Sequence, residues 1–341
     1  MTQQSARRPE VANPRVAAPS VVPLARRRDV VLSVSGLSLQ RGGHSVLDRV
    51  GFELARGETV GLVGESGAGK STIALVLMGL LRPPAVTLAG EVRFGDQDDL
   101  LALPERGWAS LRGRRIAMIF QDPSSALNPC FTVGAQLTNP LRRLLGLDRG
   151  AARRRAIELL ESAGLNDAEA RLAAYPHELS GGMQQRVMIA IALACNPDLL
   201  LADEPTSALD VTIQAQIMQL ILQQVRARDA SCLFVLHDLA LASQVCDRIV
   251  VLYAGQVVEA GPADAVLRQS LHPYTHALKS CVIELDTETL TPPPGGLPGL
   301  GDMPSGCRFA PRCPRATAEC ASRTPPLRPM QGRDVACWHP G

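Results

Sequence analysis

The segment that most constrains the fold of this chain is "GLVGESGAGKST", residues 61–72, which follows a short apolar run and opens a helical pattern. It fits the phosphate-binding P-loop, with Gly64, Gly69, Lys70 and Ser71 in register. Glycines at these positions let backbone N–H groups surround phosphate oxygens, and the N-terminus of the following helix adds partial positive charge. The segment therefore predicts a strand, a phosphate-binding loop and a helix, in that order.

The use of lysine strengthens this prediction. Of the 35 Lys and Arg residues only two are lysine, Lys70 and Lys279. An ammonium brings a compact charge to the outer phosphates, in a space that a planar guanidinium would not fit. Ser71 adds a hydroxyl ligand for Mg²⁺. We expect a nucleoside triphosphate to bind here together with Mg²⁺.

Apolar runs and helical patterns alternate along the chain, which predicts an α/β fold with a parallel sheet. The last three runs are almost continuously apolar, as expected for strands buried on both faces. A long and mostly helical stretch, roughly 124–195, suggests a helical insertion. The predicted strands are 30–34, 46–54, 59–63, 115–120, 198–203, 232–237 and 248–253, with a helix over about 70–81.

Composition excludes several classes of protein. The formal net charge of +2 argues against nucleic-acid binding, which usually needs a strongly basic patch. No apolar run approaches the roughly 18 residues that span a bilayer. Residues 1–28 carry six arginines and one acidic residue without an apolar stretch, which predicts a disordered basic tail rather than a secretory signal. We expect a cytosolic location, where thiols stay reduced.

Two further motifs carry chemistry. "LLLADEP" (199–205) is an apolar run that ends in two carboxylates. Asp203 is placed to hold the Mg²⁺ shell, and Glu204 to orient or deprotonate the attacking water. "LSGGMQQR" (179–186) offers a second set of N–H donors at a helix start, which is redundant unless it serves another subunit.

Taken together, these motifs resemble those of the ATP-binding subunits of ABC (ATP-binding cassette) transporters, over about residues 30–285. "FQDP" resembles the Q-loop, which would put Gln121 near Mg²⁺ and the transmembrane partner. "SALD" resembles the D-loop with Asp210, and "LHD" the switch that brings His237 near the γ-phosphate. "GESGAGKST" resembles the Walker A loop, "LSGGMQQR" the family signature and "LLLADEP" Walker B, so all six motifs occur in the family order. The resemblance implies a RecA-like core with an antiparallel β subdomain and a helical subdomain.

The resemblance also implies a set of site residues. ATP would lie between the Walker A loop of one subunit and the signature of another in a head-to-tail dimer. Mg²⁺ would be held by Ser71, Gln121 and Asp203, with Glu204, His237 and Gln121 as the catalytic residues. The Walker A residues are Gly64, Glu65, Ser66, Gly67, Ala68, Gly69, Lys70, Ser71 and Thr72, and the signature residues serving the partner's ATP are Ser180, Gly181, Gly182 and Gln184.

The chain departs from the family at the adenine. The family usually stacks an aromatic residue on the base, shortly after the first pair of strands. In "LSLQRGG" (37–43) that position holds Gln40 or Arg41. A guanidinium can stack on a base, so we hypothesise that Arg41 covers adenine.

The C-terminal part narrows the resemblance. "HPYTHALKSC" begins with His272, Pro273 and Tyr274, and a proline-rich linker and a cysteine-containing region follow. This succession resembles the oligopeptide/dipeptide (and nickel) import subgroup of ABC ATPases. The predicted domains are the basic tail 1–28, the ATPase domain 29–285, and the linker with a small four-cysteine appendage, 286–341.

Four of the nine cysteines lie in that appendage: Cys307, Cys313, Cys320 and Cys337, spaced C-x5-C-x6-C-x16-C. The expected cytosolic location argues against disulfides. Four thiolates can bind zinc or a [4Fe–4S] cluster, and spacing alone does not choose between them. The proline-rich segment has few residues with which to build a core, so a metal would supply ordering energy. The subgroup resemblance favours a [4Fe–4S] cluster, with zinc or unligated thiols as the alternatives.

The resemblance implies a bacterial or archaeal ATPase that powers peptide import from the cytoplasmic face of the inner membrane. The implied partners are a second, homologous ATPase (a heterodimer), two transmembrane permeases and an extracytoplasmic substrate-binding protein. The alternatives are an importer of nickel or an opine-like metallophore, and a soluble ABC ATPase without a transport role. The sequence of this chain does not identify the transported substrate, because the binding protein and the permeases select it.

Overall fold

A computed structural model describes residues 29–207, 209–280 and 295–341, so the predicted basic tail and most of the predicted linker lie outside the described residues. None of the helices in these ranges combines the length and the apolar character that crossing a bilayer requires. The strands of the described ranges are β1 Val30–Arg41, β2 His44–Ala55, β3 Thr59–Val63, β4 Thr87–Phe94, β5 Ile116–Ile119, β6 Leu199–Asp203, β7 Ser231–Leu236, β8 Arg248–Tyr253, β9 Gln256–Pro262, β10 Arg328–Met330 and β11 Arg333–Val335. The α-helices are α1 Lys70–Leu77, α2 Glu105–Leu111, α3 Pro123–Ala126, α4 Val133–Leu145, α5 Arg149–Ser162, α6 Ala168–Arg171, α7 Gly181–Leu193, α8 Val211–Ala227, α9 Leu239–Val245, α10 Ala263–Arg268, α11 Pro273–Lys279 and α12 Ala318–Ser322.

The central sheet has the strand order β10-β11-β9-β8-β3-β7-β6-β5. Strands β8, β3, β7, β6 and β5 pair in parallel, whereas β9 and the C-terminal hairpin are antiparallel. All residues of β3, β5, β6 and β7 are buried, because the sheet is covered on both faces. The predicted α/β fold with a parallel sheet is confirmed.

A separate antiparallel sheet, β2-β1-β4, covers one side of the central sheet. Its buried residues share one apolar cluster with β3 and α1, including Leu32, Phe52 and Phe94. β4 was absent from the sequence prediction. Its sequence, "TLAGEVRF", alternates weakly and is mostly exposed, and Gly90 interrupts it with a positive φ of 101°.

Helices α3 to α7 fill the stretch in which a helical insertion was expected. Local chemistry sets their ends. Thr132 caps α4 by accepting from the Ala135 N–H, and Asp148 caps α5 by accepting from the Ala151 N–H. α4 ends at Gly146 in the left-handed conformation. These helices share an apolar cluster with α8 and α9 on the other face of the central sheet.

The C-terminal residues 295–341, here called the cysteine module, pack directly on the rest of the protein. Strand β11 pairs with β9 and extends the central sheet. Phe309 is buried, with its ring centroid 5.1 Å from that of Tyr253 and 5.4 Å from that of Tyr274. The module has few apolar residues of its own, as the sequence indicated, and it obtains a core by sharing that of the larger domain.

Candidate nucleotide site

The P-loop lies between β3 and α1, and its lysine is buried within it. Lys70 Nζ donates to the carbonyl oxygens of Gly64 at 2.8 Å and Glu65 at 3.0 Å. Burial lowers the pKa of Lys70, and the nearby carboxylates of Glu204, Asp203 and Glu65 oppose that shift. The ammonium is thus held at the base of the loop, where phosphate oxygens would replace the carbonyls as partners.

Two glycines of the loop are sterically required. A Cβ at Gly64 would lie 2.3 Å from the Leu252 carbonyl oxygen. At Gly69, φ is +103° and a Cβ would lie 2.7 Å from Leu47 Cδ2. Ser66 and Gly67 are exposed, so the middle of the loop is open to a ligand. The loop thus has the backbone exposure that a phosphate cradle needs, and phosphate binding there stays a prediction.

The carboxylates after β6 face the P-loop. Ser71 Oγ donates to Asp203 Oδ1 at 2.9 Å. Burial raises the pKa of Asp203, and the hydrogen bond from Ser71 works against that rise. A hydroxyl and a carboxylate at this distance are the hard oxygen donors that Mg²⁺ prefers, so the residues present fit the ion. When bound, Mg²⁺ would neutralise charge on the phosphates.

Glu204 follows Asp203 and adopts a positive φ of 43°, which is uncommon for a residue with a side chain. Its N–H donates to the Val235 carbonyl at 3.0 Å, which ties the turn to β7. Gln121 Nε2, from the segment after β5, donates to Glu204 Oε2 at 3.0 Å. The strained turn thus brings the predicted base and the predicted Q-loop glutamine into contact.

The order of the parallel strands explains this convergence. β3, β7, β6 and β5 are neighbours, and the P-loop, His237, Glu204 and Gln121 follow their respective carboxyl ends. Ligands of open α/β sheets bind at that edge. His237 is exposed, and the next residue, Asp238, caps α9 by accepting from the Ala240 and Leu241 N–H groups.

Comparison with known proteins identifies the family. A family model described as "ABC transporter" matches residues 47–207, and one described as "Oligopeptide/dipeptide transporter, C-terminal region" matches residues 258–320. The dipeptide transport ATP-binding protein DppD of Escherichia coli (strain K12) is 45% identical over 317 residues, which cover 91% of this chain and 97% of that protein. The oligopeptide transport ATP-binding protein AppD of Bacillus subtilis (strain 168) is 45% identical over 296 residues, covering 86% and 90%.

The chain belongs to the ABC transporter ATP-binding proteins of the oligopeptide/dipeptide family.

The fold agrees with solved cassettes. The ATP-binding cassette MJ0796, in a dimeric post-hydrolysis state bound to ADP and Pi, matches with a TM-score of 0.60 and 31% identity, covering 68% of this chain and 98% of that one. CbiO1 from Clostridium perfringens, part of the ABC transporter complex CbiONQ, matches with a TM-score of 0.61 and 27% identity, covering 70% and 91%. The chain is therefore an ABC ATPase subunit, and it hydrolyses ATP to drive transport.

The signature of this ABC ATPase lies at the start of α7. Ser180 is the N-cap residue and makes no side-chain capping bond, and both Ser180 and Gly181 are exposed. A Cβ at Gly181 would meet nothing within 4 Å. This open helix start is suited to a ligand from outside the subunit, and its role toward a partner's ATP stays a prediction.

The two glutamines of the signature point to their own subunit. Gln184 Nε2 donates to the carbonyls of Pro176 at 2.9 Å and Leu179 at 3.2 Å. Its predicted contact with the partner's ATP would have to come from its remaining amide oxygen. Gln185, which the sequence analysis did not single out, is buried and donates to the Pro205 carbonyl at 2.7 Å. It links the signature helix directly to the turn that carries Glu204.

The D-loop aspartate, Asp210, is exposed and precedes α8 without capping it through its side chain. Gln214 Nε2 donates to the carbonyls of Thr206 and Leu209, at 3.0 and 2.9 Å, and so holds the segment before α8. Hydrogen bonds within the subunit thus hold Thr206 and Leu209, while the Asp210 side chain is exposed.

Tyr274 shows why the His-Pro-Tyr motif matters to this ABC ATPase. The Glu65 N–H donates to Tyr274 Oη at 2.9 Å, so the motif touches the P-loop. His272 is buried and accepts from the Tyr274 N–H at 3.0 Å, and burial lowers the pKa of His272 to about 3. A neutral His272 therefore orients Tyr274. The sequence marked these residues as a subgroup hallmark but did not reveal the contact.

Arg41 ends β1 and is exposed, opposite His44 in the β1–β2 pairing. Its side chain is therefore accessible to a ligand. The adenine contact stays a prediction.

Arg41→Ala is expected to raise the Kd for ATP about two- to fivefold, the range of an exposed cation–π contact. Isothermal titration measures the Kd for ATP and for inorganic triphosphate. Only ATP carries a base to stack, so the affinity for triphosphate should not change. Arg93→Ala, at another exposed arginine of the same sheet, is the control. Unchanged ATP affinity in Arg41→Ala would exclude the stacking role.

The four cysteines of the module line one cavity together with His272 and Trp338. Cys320 is buried and the other three are half-buried, and burial raises the pKa of Cys307 to about 11. Among the described residues, however, no group of three or more Cys, His, Asp or Glu is arranged to hold a metal ion. The described residues therefore show no preassembled site for the predicted [4Fe–4S] cluster or for the zinc alternative, although the four predicted cysteines line one cavity.

Proposed function

We propose that this ABC ATPase powers the import of dipeptides or oligopeptides through a membrane transporter. The observation that carries the proposal is that Tyr274 of the His-Pro-Tyr region contacts Glu65 of the P-loop, in a chain that has all six nucleotide-site motifs. DppD and AppD, each 45% identical over most of the chain, are named for dipeptide and oligopeptide transport.

The working assembly in this proposal contains two ATPase subunits, two transmembrane permeases and an extracytoplasmic substrate-binding protein. The ATPase would sit at the cytoplasmic face of the inner membrane. The exposed Ser180 and Gly181 would complete the ATP site of a second, homologous ATPase. Two such sites would close when ATP binds and open after hydrolysis, and this coupling requires ATP to favour the closed state.

Within the proposed site, the residues bind phosphate, hold Mg²⁺ and activate the attacking water. Lys70 and the loop N–H groups would bind the phosphates, while Ser71, Asp203 and Gln121 would hold Mg²⁺. Glu204 would take a proton from the attacking water, and Gln121 Nε2 orients the carboxylate through its 3.0 Å hydrogen bond to Glu204 Oε2. His237 would contact the γ-phosphate from the end of β7.

The test is uptake by proteoliposomes that contain the permeases and both ATPases, supplied with the binding protein. Radiolabelled dipeptide and pentapeptide should enter only when ATP is present inside, and the same complex with Glu204→Gln should not transport. Uptake of a nickel–histidine complex in place of either peptide would assign the chain to metal import. Full ATPase activity without co-purifying permeases would favour a role outside transport.

We also propose that the four-cysteine cavity holds a [4Fe–4S] cluster. Two features support this: the cysteines line one cavity, and backbone N–H groups of Phe309, Arg315 and His339 lie close enough to Cys307, Cys313 and Cys337 to oppose the rise in thiol pKa that burial causes. Hydrogen bonds of this kind accompany cluster ligation.

The expected result is a broad visible absorption band in protein purified without oxygen, with about four irons per chain by metal analysis. Cys320→Ser should remove the iron and the band, whereas Cys130→Ser, at an exposed cysteine outside the module, should retain both. If metal analysis finds zinc without iron, the four cysteines form a zinc site and not a cluster site. Absence of both metals would leave four unligated thiols.

A further inference from the structure

Glu65 of the P-loop is fixed at each of its polar groups. Its N–H donates to Tyr274 Oη at 2.9 Å, and its carbonyl accepts from Lys70 Nζ at 3.0 Å and from the Ala68 N–H at 3.1 Å. Its carboxylate is bound by Arg312, with Nη1–Oε2 at 2.9 Å and Nη2–Oε1 at 3.0 Å. Two of these partners come from the C-terminal part of the chain.

Arg312 is held rigidly in the cysteine module. It ends the short 3₁₀ helix Ala310–Arg312, its guanidinium lies 5.7 Å from the ring centroid of Tyr253 and 5.8 Å from that of Phe309, and it is buried. Nη1 also lies 3.3 Å from Tyr253 Oη. Burial opposes the charge on Arg312, but the hydrogen bonds to Glu65 and Tyr253 outweigh it and raise the pKa of the guanidinium.

A fork-to-fork pair of this kind fixes both partners. The two parallel N–H···O bonds define the plane and the direction of the carboxylate as well as its distance. The Arg312 side chain is only 7% exposed, and that of Glu65 is 25% exposed. Solvent therefore screens the pair less than it screens the surface ion pairs of this protein.

The direction of the Glu65 carboxylate matters because Lys70 is close by. The negative charge of Glu65 acts on Lys70 across the loop, together with those of Asp203 and Glu204. A carboxylate released from Arg312 would compete with the phosphates of ATP for the ammonium and would repel them. Held by Arg312, the same carboxylate is neutralised and turned toward the module.

We propose that Arg312 of the cysteine module is a positioning residue for ATP binding. It neutralises the carboxylate of Glu65 and fixes the position of this residue, whose carbonyl accepts a hydrogen bond from Lys70. The cysteine module thereby contributes to the nucleotide site of its own subunit. Cys313 directly follows Arg312, so the residue that binds Glu65 is the chain neighbour of a cysteine of the cavity.

The test is a double-mutant cycle measured as the Kd for ATP in the full chain. Arg312→Gln is expected to raise the Kd about tenfold, while kcat at saturating ATP falls much less. Combining it with Glu65→Gln should recover most of the lost affinity, because the carboxylate that competes for Lys70 is then absent. Arg312→Lys should be intermediate, since an ammonium keeps the charge but not the fork.

The matched control is Arg323→Gln, which removes another arginine of the module that pairs with Glu319 and stacks on Trp338. Thermal unfolding without nucleotide shows whether each variant is folded. A folded Arg312→Gln protein with unchanged ATP affinity would overturn the proposal. A double variant as weak as Arg312→Gln alone would also overturn it, because it would make Arg312 a purely structural residue.

Discussion

Glu204→Gln is expected to bind ATP but to lose turnover by a factor of about 100 to 10,000, the usual contribution of a general base. The amide has the size of the carboxylate and can still bond to Gln121, which lies 3.0 Å away in the parent. It cannot accept the proton of the attacking water. Because only the proton transfer is removed, ATP should accumulate on the protein instead of being consumed.

Phosphate release by the reconstituted transporter measures the turnover, and retention of labelled ATP after gel filtration measures the trapped nucleotide. Glu161→Gln, on the exposed face of α5, makes the same chemical change away from the site and should behave as the parent. Near-parental hydrolysis by Glu204→Gln would show that another group activates the water.

Lys70→Ala is expected to weaken ATP binding roughly 100-fold, because charge-assisted hydrogen bonds to phosphate are lost from a buried position. The carbonyls of Gly64 and Glu65, which now accept from Lys70, would also lose their donor and loosen the loop. Both effects act on binding, so this variant should fail before the chemical step.

Isothermal titration with ATP and Mg²⁺ measures the loss. The control is Lys279, the one other lysine, which is the last residue of α11. Its Nζ donates to the Arg268 carbonyl at 3.3 Å. Lys279→Ala should bind ATP as the parent does. Tight binding by a folded Lys70→Ala protein would contradict the assignment of the P-loop lysine.

The nucleotide site could be predicted because each of its motifs is local. A strand, a glycine-rich loop and a helix start fall within residues 59–70, and the loop conformation follows from the absence of side chains at Gly64 and Gly69. The buried strands β3, β6, β7 and β8 were recognisable because both faces are apolar. Their adjacency follows from parallel pairing with helical crossovers.

What the sequence could not reveal are contacts between distant segments. Glu65 and Arg312 lie 247 residues apart, and neither belongs to a periodic pattern that would mark a partner. Strands β10 and β11 have three residues each, too short for alternation to be visible. The C-terminal region therefore looked like a linked appendage, whereas its position on the larger domain depends on pairing and packing across the whole chain.

The pairing of β11 with β9 has a practical consequence for anyone who wishes to study the ATPase without its cysteine module. Removing residues 295–341 would uncover the backbone of β9, and bare strand edges recruit other chains into aggregates. It would also remove Arg333, which forms an ion pair with Glu259 at 3.4 Å, and so leave a fully buried carboxylate without its cation. Point substitutions are therefore the better way to test the cysteine module separately from the rest of the ATPase. With a shortened chain, a loss of activity could result from aggregation and would say nothing about function.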